Sequence, residues 1–355
     1  MEPMRDSHWD ESVDRPWAGK AEAVGRRLLY NLGAAFLGGA PAQPFNIHSV
    51  KKILLIKEPY RMGDLFQITP TLRALKVWKP DLQIGLVIQE RNLPIFESNP
   101  HLTRIHAYRK RVLNRAPWKI FSFFAEIRRA KYDLAVTLET QRIHLTNDLI
   151  ALFSGAPHRL RYDGGAFGNP ESNAFYNLLT PFKAGAEHQV DKNFEVFAPY
   201  GLSMNDRTLE FAVPATSLSG ADLCIHPGSF KVANRWPLPN YLDAARAQRD
   251  KGKSVVFILG PSELDWQGKI EEAGFRAVTK ISLAEMAALF KKCGRVLCND
   301  TGVMHIAGAV GAKTLALFGQ TEPGEWKPPG EAVSYLRAPD KNIASISINE
   351  VLKNL

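Results

Sequence analysis

LCNDTGVMHIAGAVGAKTLALFGQTEPGEW, residues 297–326, decides how this chain reads. Arg295-Val296-Leu297-Cys298 is a short apolar run that predicts a buried strand. Asn299-Asp300-Thr301-Gly302 follows as a turn whose polar side chains suit the cap of a helix. Val303 to Val310 is small and apolar, as in a tightly packed helix. Thr314-Leu315-Ala316-Leu317-Phe318 predicts the next parallel strand, and Gly319 opens a polar loop. A strand, a turn and a helix start form an anion site, because the first helical turn leaves backbone N–H groups without partners. In an open parallel sheet, ligands bind beyond the carboxyl ends of the strands. Asp300, Thr301, Gly302 and His305 fall there. The pattern equally accommodates a plain cap at Asp300 or Thr301 and a core imidazole at His305.

The same alternation extends outward in both directions. Lys51 to Ile56 predicts a continuous apolar strand of parallel-sheet type. The loop Glu58 to Asp64 leads to a helix over Leu65–Trp78, and Gln83 to Ile88 is the next strand. That is a βαβ unit. Asp133 to Leu138 is a later strand, preceded by an amphipathic, basic helical stretch from Val112 to Lys131. Gly155 to Ala186, rich in Gly, Pro and Asn, reads as loop. His188 to Tyr200 recovers helical spacing. Beyond a linker near Asn205–Ser219 come a strand at Asp222–His226, a helix at Asn240–Asp250 and a strand at Ser254–Leu259. Ser282 and Glu285 have capping-box spacing before a helix from Leu283 to Lys292. A last helix is expected over Asn349–Leu355. The expected organisation is an N-terminal extension over 1–50, a first domain over 51–212 and a second over 213–355.

With 355 residues the chain exceeds the usual size of one core, which favours two domains. The formal charge of +9 points to anionic partners such as nucleotide sugars, phosphorylated glycolipids or a membrane surface. No nucleic-acid motif or long Lys/Arg run is present, so nucleic acid is not expected. Cys224, Cys293 and Cys298 lack zinc-type spacing and read as buried thiols of a reducing compartment. No apolar run reaches the roughly 20 residues of a spanning helix. Residues 21–37 could form an amphipathic helix, lying on a membrane surface or packing on the body of the protein. A signal-peptide reading of Arg26-Arg27 and Ala40-Pro41-Ala42 is opposed by the acidic residues Asp10, Glu11, Asp14 and Glu22. No GxGxxG follows a strand, and Gly311-Ala312-Lys313-Thr314 lacks Walker spacing. Dinucleotide dehydrogenases and P-loop NTPases are therefore poor readings.

Three blocks in order carry a family resemblance: RMGDLFQITPTLRALKVWKPDLQIGLVI (61–88), HPGSFKVANRWPLPNY (226–241) and NDTGVMHIAGAVGAKTLALFGQTEPGEWKPPG (299–330). Together they resemble the ADP-heptose:lipopolysaccharide heptosyltransferases, glycosyltransferase family 9, over roughly 51–328. The resemblance implies the α/β GT-B architecture, with two Rossmann-like doubly wound domains facing across a cleft. It also implies inverting transfer from a nucleotide sugar, ADP-heptose, to an anionic glycolipid of the lipopolysaccharide core. No cofactor or metal is expected, and the chain lacks an Asp-x-Asp motif. A cytoplasmic location is expected, with peripheral membrane contact through 21–37 as one option.

Residue roles follow as expectations of the resemblance. Asp64 is the candidate base for the acceptor hydroxyl; the alternative is an N-cap of the helix that follows. Ser229, Thr301 and Gly302 are placed to donate to phosphate oxygens. Glu263 matches a position near the nucleoside and Asp300 one that helps hold the sugar, with His305 a helical turn onward. Arg61, Arg91 and Arg142, with the basic run Arg109-Lys110-Arg111, could meet the acceptor. One departure stands out. The family carries a lysine immediately before its Arg-Trp-Pro-like segment, where this chain has Asn234, leaving Lys231 or Arg235 to supply the charge. Rival readings are the same fold with another nucleotide sugar, and a non-catalytic protein that binds nucleotide or glycan.

Overall fold

The structure, a computed structural model, describes Tyr30 and residues 45–58, 60–182, 188–213 and 218–355. It contains two six-stranded sheets in which every pairing is parallel. The first consists of β1 (Lys52–Ile56), β2 (Gln83–Gln89), β3 (Arg104–Tyr108), β4 (Leu134–Thr137), β5 (His158–Tyr162) and β6 (Leu178–Thr180), in the order β3-β2-β1-β4-β5-β6. The second consists of β7 (Leu223–His226), β8 (Val255–Ile258), β9 (Arg276–Val278), β10 (Arg295–Asn299), β11 (Thr314–Phe318) and β12 (Val333–Arg337), in the order β12-β11-β10-β7-β8-β9. Each sheet reverses its strand order once, between β1 and β4 and between β7 and β10. Ligands of doubly wound sheets bind at such points.

The central strands are buried on both faces, which is why they read as unbroken apolar runs. One apolar cluster continues from the first sheet through Leu65 and Phe66 to Val303, Ile306 and Val296 of the second, so the two halves share a core. The C-terminal helix, Ile348–Asn354, packs on the second half alone, where Val351 joins Trp236, Tyr241 and Ala244.

Several expectations need correction. The helix expected over Leu65–Trp78 is two, Met62–Phe66 and Thr69–Trp78, because Pro70 opens a new helix rather than continuing the old one. The stretch from Val112 to Lys131 is likewise divided, into Lys110–Arg115 and Lys119–Ala130, with Pro117 between them. The segment read as loop carries β5 and β6. Hydropathy hides β5 because His158-Arg159-Leu160-Arg161-Tyr162 contains two arginines. Arg161 is nonetheless buried, donating to Asp148 Oδ1 at 2.9 Å, to Ser172 Oγ at 3.0 Å and to the Tyr162 carbonyl at 2.9 Å. Finally, Cys224 and Cys293 are joined as a disulfide, and Cys298 alone is a buried thiol.

The segment 21–37 lies outside the described residues except for Tyr30. Its ring is buried against Phe175, and its hydroxyl donates to Asp148 Oδ2 at 2.5 Å. Among the described residues no helix is long and apolar enough to cross a membrane.

Candidate active site

The site in the second half is assembled on Asn299, the last residue of β10. Its side chain is fully buried. Oδ1 accepts from the Trp236 backbone N–H at 3.1 Å and the Tyr241 hydroxyl at 2.8 Å, while Nδ2 donates to the carbonyls of Pro227 at 2.8 Å and Gly228 at 3.2 Å. One amide thus uses both of its faces to fix the 226–237 loop to the strand end. Trp236 anchors the far side of that loop: its ring meets Tyr241 edge-on, and Nε1 donates to the Ile346 carbonyl at 2.9 Å.

Glu263 is buried and accepts from the Gly260 N–H at 3.0 Å. Its carboxyl lies so close to Gly228 that a Cβ there would meet the carboxyl carbon at 2.3 Å, which explains the glycine. Burial raises the Glu263 pKa, and Arg235, with Nη2 3.7 Å from Oε1, opposes that shift. Arg235 is well held. Its Nε donates to the Ser229 carbonyl at 2.7 Å, and its guanidinium lies 5.5 Å from the centre of the Trp266 ring.

Asp300 does not cap the helix Gly302–Ala309, nor does Thr301, the cap residue, bond with its side chain. Asp300 Oδ2 instead accepts from Thr321 Oγ1 and lies 3.5 Å from Asn234 Nδ2. Burial raises its pKa, with Thr321 and then Lys231 opposing. Asn234 is buried with Oδ1 unpartnered, whereas Lys231 is exposed. The expected lysine position is therefore an amide turned toward a carboxylate, with an exposed lysine three residues earlier.

In the first half, Asp64 is the third residue of its short helix. Oδ2 accepts from the Arg61 N–H at 3.2 Å and Oδ1 from Gln141 Nε2 at 3.2 Å. It is not itself the N-cap but satisfies the N–H of the cap residue Arg61, and it remains partly open. Behind it lie three charged groups that local pattern did not single out. Lys57 is buried, donates to the Leu138 carbonyl at 2.8 Å and Asn193 Oδ1 at 2.7 Å, and is lowered to about 8 by burial against the opposing pull of Asp64 and Glu139. Glu58 is buried beside Gln89, and burial raises its pKa. Glu139 Oε1 accepts from the His144 N–H at 2.7 Å and from Asn147 Nδ2 at 2.9 Å. A polar side chain directly after an apolar strand was the available signal for all three. Arg142 donates to His144 Nε2 at 2.9 Å; Arg91 is exposed on the same side. Arg61 is not confined to that side: its guanidinium stacks 4.5 Å from the centre of the Phe230 ring, on the 226–237 loop.

The two halves meet at the helices Met62–Phe66 and Gly302–Ala309. A Cβ on Gly63 would lie 2.9 Å from His305 Cδ2, and one on Gly302 would lie 2.3 Å from Met62 Cε. The helix start expected to be open is thus partly roofed by the opposite half. Gln67 Nε2 donates to the Trp326 carbonyl at 3.1 Å and lies 3.3 Å from His305 Nδ1. His188 Nε2 bonds the Lys327 carbonyl at 2.7 Å, and Glu325 accepts from Gln189 at 2.7 Å and Lys192 at 2.8 Å. These contacts set Asp64 and the Asp300–His305 segment on either side of one junction.

His305 and His226 are buried imidazoles, lowered from 6.5 to about 3 and about 4 by loss of solvation. Both are neutral in the folded protein, while the unfolded chain takes up their protons near 6.5. Their stabilising contribution is thus complete above that pH and is lost as pH falls toward 4 and then 3. Urea midpoints between pH 7 and 4.5 should fall, with a slope approaching about 1.4 kcal/mol per pH unit for each histidine. His305→Gln should flatten the slope; an unchanged slope would contradict the assignment.

A family model described as glycosyltransferase family 9 (heptosyltransferase) matches residues 120–355. Among curated relatives, lipopolysaccharide heptosyltransferase 3 of Escherichia coli is 25% identical over 293 residues, 75% of this chain and 83% of the relative. Lipopolysaccharide heptosyltransferase 1 of Pseudomonas aeruginosa is 26% identical over 291 residues, 77% and 80% of the two chains. Among solved structures, a family 9 glycosyl transferase from Veillonella parvula superposes with a TM-score of 0.73 at 21% identity, covering 88% of this chain and 97% of that one. E. coli heptosyltransferase WaaC with ADP-2-deoxy-2-fluoro heptose gives 0.72 at 20% identity, covering 85% and 98%. The shared architecture is GT-B.

Proposed function

The chain belongs to glycosyltransferase family 9, the heptosyltransferases, and from that premise we propose that it transfers heptose from ADP-heptose, with inversion, to a hydroxyl of a lipopolysaccharide-core glycolipid. The observation that carries this reading is the position of Asp64. Its partly open carboxylate stands on a helix whose Gly63 touches His305, across the junction from Asp300.

In the proposed step the acceptor oxygen attacks the anomeric carbon from the face opposite the diphosphate. Asp64 takes the hydroxyl proton as the carbon–oxygen bond to phosphate breaks, through an oxocarbenium-like centre. Residues 51–212 present the acceptor and 213–355 hold the donor. Glu263 supports the nucleoside, and Asp300 holds the sugar. Ser229, Thr301 and Gly302 line the phosphate side, and positive charge reaches the leaving diphosphate from side chains rather than a metal.

Lys231 is the replacement for the missing lysine. Arg235 is already held by Ser229, Glu263 and Trp266, whereas Lys231 is exposed and acts on Asp300. Lys231→Ala should therefore lower kcat about 10²–10³-fold with little change in fold, as for loss of one preorganised donor at a developing negative charge. Arg235→Ala should act chiefly on donor affinity. The opposite pattern in steady-state kinetics would reassign the two.

Asn234 favours one second reading, that the donor sugar differs from ADP-heptose, because an amide beside Asp300 both donates and accepts where a lysine only donates. Thermal shift with ADP, UDP and GDP, followed by transfer assays with ADP-heptose, tests both. Selective stabilisation by ADP and measurable transfer are expected. A response to UDP or GDP alone would favour the second reading, and none at all would remove the donor site from 213–355.

A further inference from the structure

We propose that the exposed aromatic and basic face of residues 109–131, joined by Phe153, docks on an anionic phospholipid bilayer. The helix Lys119–Ala130 has two sides. Phe123 and Ile127 are buried, with Ile120 and Phe124 packed beside them against the first sheet. The opposite side carries Trp118, Phe121, Ser122, Ala125, Arg128 and Arg129 at helical spacing. Trp118 is 67% exposed and Phe121 75% exposed. Phe153, 44% exposed, extends the apolar surface through Phe124, whose ring is 5.2 Å away.

Isolated exposed apolar residues need no explanation, but large aromatics grouped within a single-sign charge field do. Between 109 and 131 there are eight basic residues, all exposed, against one acid, Glu126. Glu126 is moreover engaged by His106 Nδ1 at 2.7 Å. A cationic rim suits phosphate headgroups, and indole and phenyl rings suit the boundary beneath them. The helix is far too short to span a bilayer, so it lies in the surface plane.

The patch also has a direction. Its first residue lies at the carboxyl ends of the strands: Arg109 directly follows β3, and its Nε is 3.1 Å from Oε1 of Glu90, which directly follows β2. From there the basic surface runs outward to Trp118 and Phe121. A bilayer held by this face lies beside the acceptor side of the cleft, where a lipid-anchored sugar can enter. Docking itself does not depend on which sugar is transferred; its use rests on the glycolipid reading above.

The test is flotation of the full chain with phosphatidylethanolamine vesicles containing phosphatidylglycerol and no saccharide, against phosphatidylcholine vesicles. Binding to the anionic vesicles alone is expected. Trp118→Ser/Phe121→Ser and Arg128→Glu/Arg129→Glu should each lower the partition coefficient about tenfold or more, with melting temperature unchanged. The proposal is overturned if the wild-type chain stays with the pellet, or if both variants float as it does. It is also overturned if the aromatic pair instead holds two copies of the chain together, seen as a dimer that the first variant dissolves. Transfer to a delipidated inner-core oligosaccharide should survive in the first variant. Its absence from wild-type protein that still floats would count against the catalytic reading and leave the docking standing.

Discussion

Asp64→Asn is expected to lower kcat by about 10²–10⁴-fold, the usual contribution of a positioned base, while ADP binding stays at its wild-type value. The asparagine keeps an oxygen that can accept from the Arg61 N–H or from Gln141, so much of the helix cap is retained. What disappears is the capacity to take a proton. The two readings of this residue therefore separate cleanly. A pure cap would cost of order 1 kcal/mol in stability on Asp64→Ala and would leave Asp64→Asn nearly silent in turnover. A base adds severe loss of transfer in both variants, whatever stability Asp64→Ala loses with the cap bond. Turnover within about threefold of wild type in Asp64→Asn would remove the base assignment.

Asn299→Asp should be the most damaging isosteric change in the donor half. It preserves the acceptor for Trp236 and Tyr241 but places a carboxylate oxygen against the carbonyls of Pro227 and Gly228, now 2.8 and 3.2 Å from an amide nitrogen. Two hydrogen bonds become two repulsions in a fully buried site, where an unpaired charge costs about 3 kcal/mol or more. The ionised form is the problem, so the carboxyl resists deprotonation and the variant's deficit against wild type should shrink as pH falls toward 5. Denaturant midpoints at pH 5 and 7.5 check this, and nucleotide affinity should follow the same trend because the 226–237 loop depends on this amide. Wild-type stability at both pH values would show that the loop is held by other means.

Much of the architecture was legible because buried parallel strands leave continuous apolar runs: β1, β10 and β11 stand out without any alignment. Ser282 and Glu285 announced their helix because a capping box is local chemistry, and the structure closes it, with Ser282 Oγ accepting from the Glu285 N–H at 3.2 Å. β5 was hidden for the opposite reason. Arg161 belongs inside only because Asp148, thirteen residues earlier, is there to receive it, and hydropathy weighs each residue alone.

The candidate site divided along the same line. Asp64, Glu263 and Asp300 follow strand ends at motif spacing and could be named from the sequence. Lys57 and Asn299 could not be ranked there, since their significance lies in partners drawn from other elements: Leu138 and Asn193 for the first, Pro227, Trp236 and Tyr241 for the second. The roofing of Gly302 by Met62 was equally out of reach, because it depends on how the two halves meet.

The two sheets repeat one winding, each reversing its strand order at the same step, with the loops after β1 and β4 at one reversal and those after β7 and β10 at the other. In evolutionary terms this makes the enzyme two inheritable modules on a common plan. Loops after β7 and β10 can drift toward a new donor without disturbing those after β1 and β4, provided the glycine contacts at 63 and 302 are kept. Asn234 is a change of that kind, confined to one module. A chimera carrying this chain's second half on a relative's first half should therefore inherit the donor preference from here and the acceptor preference from the relative.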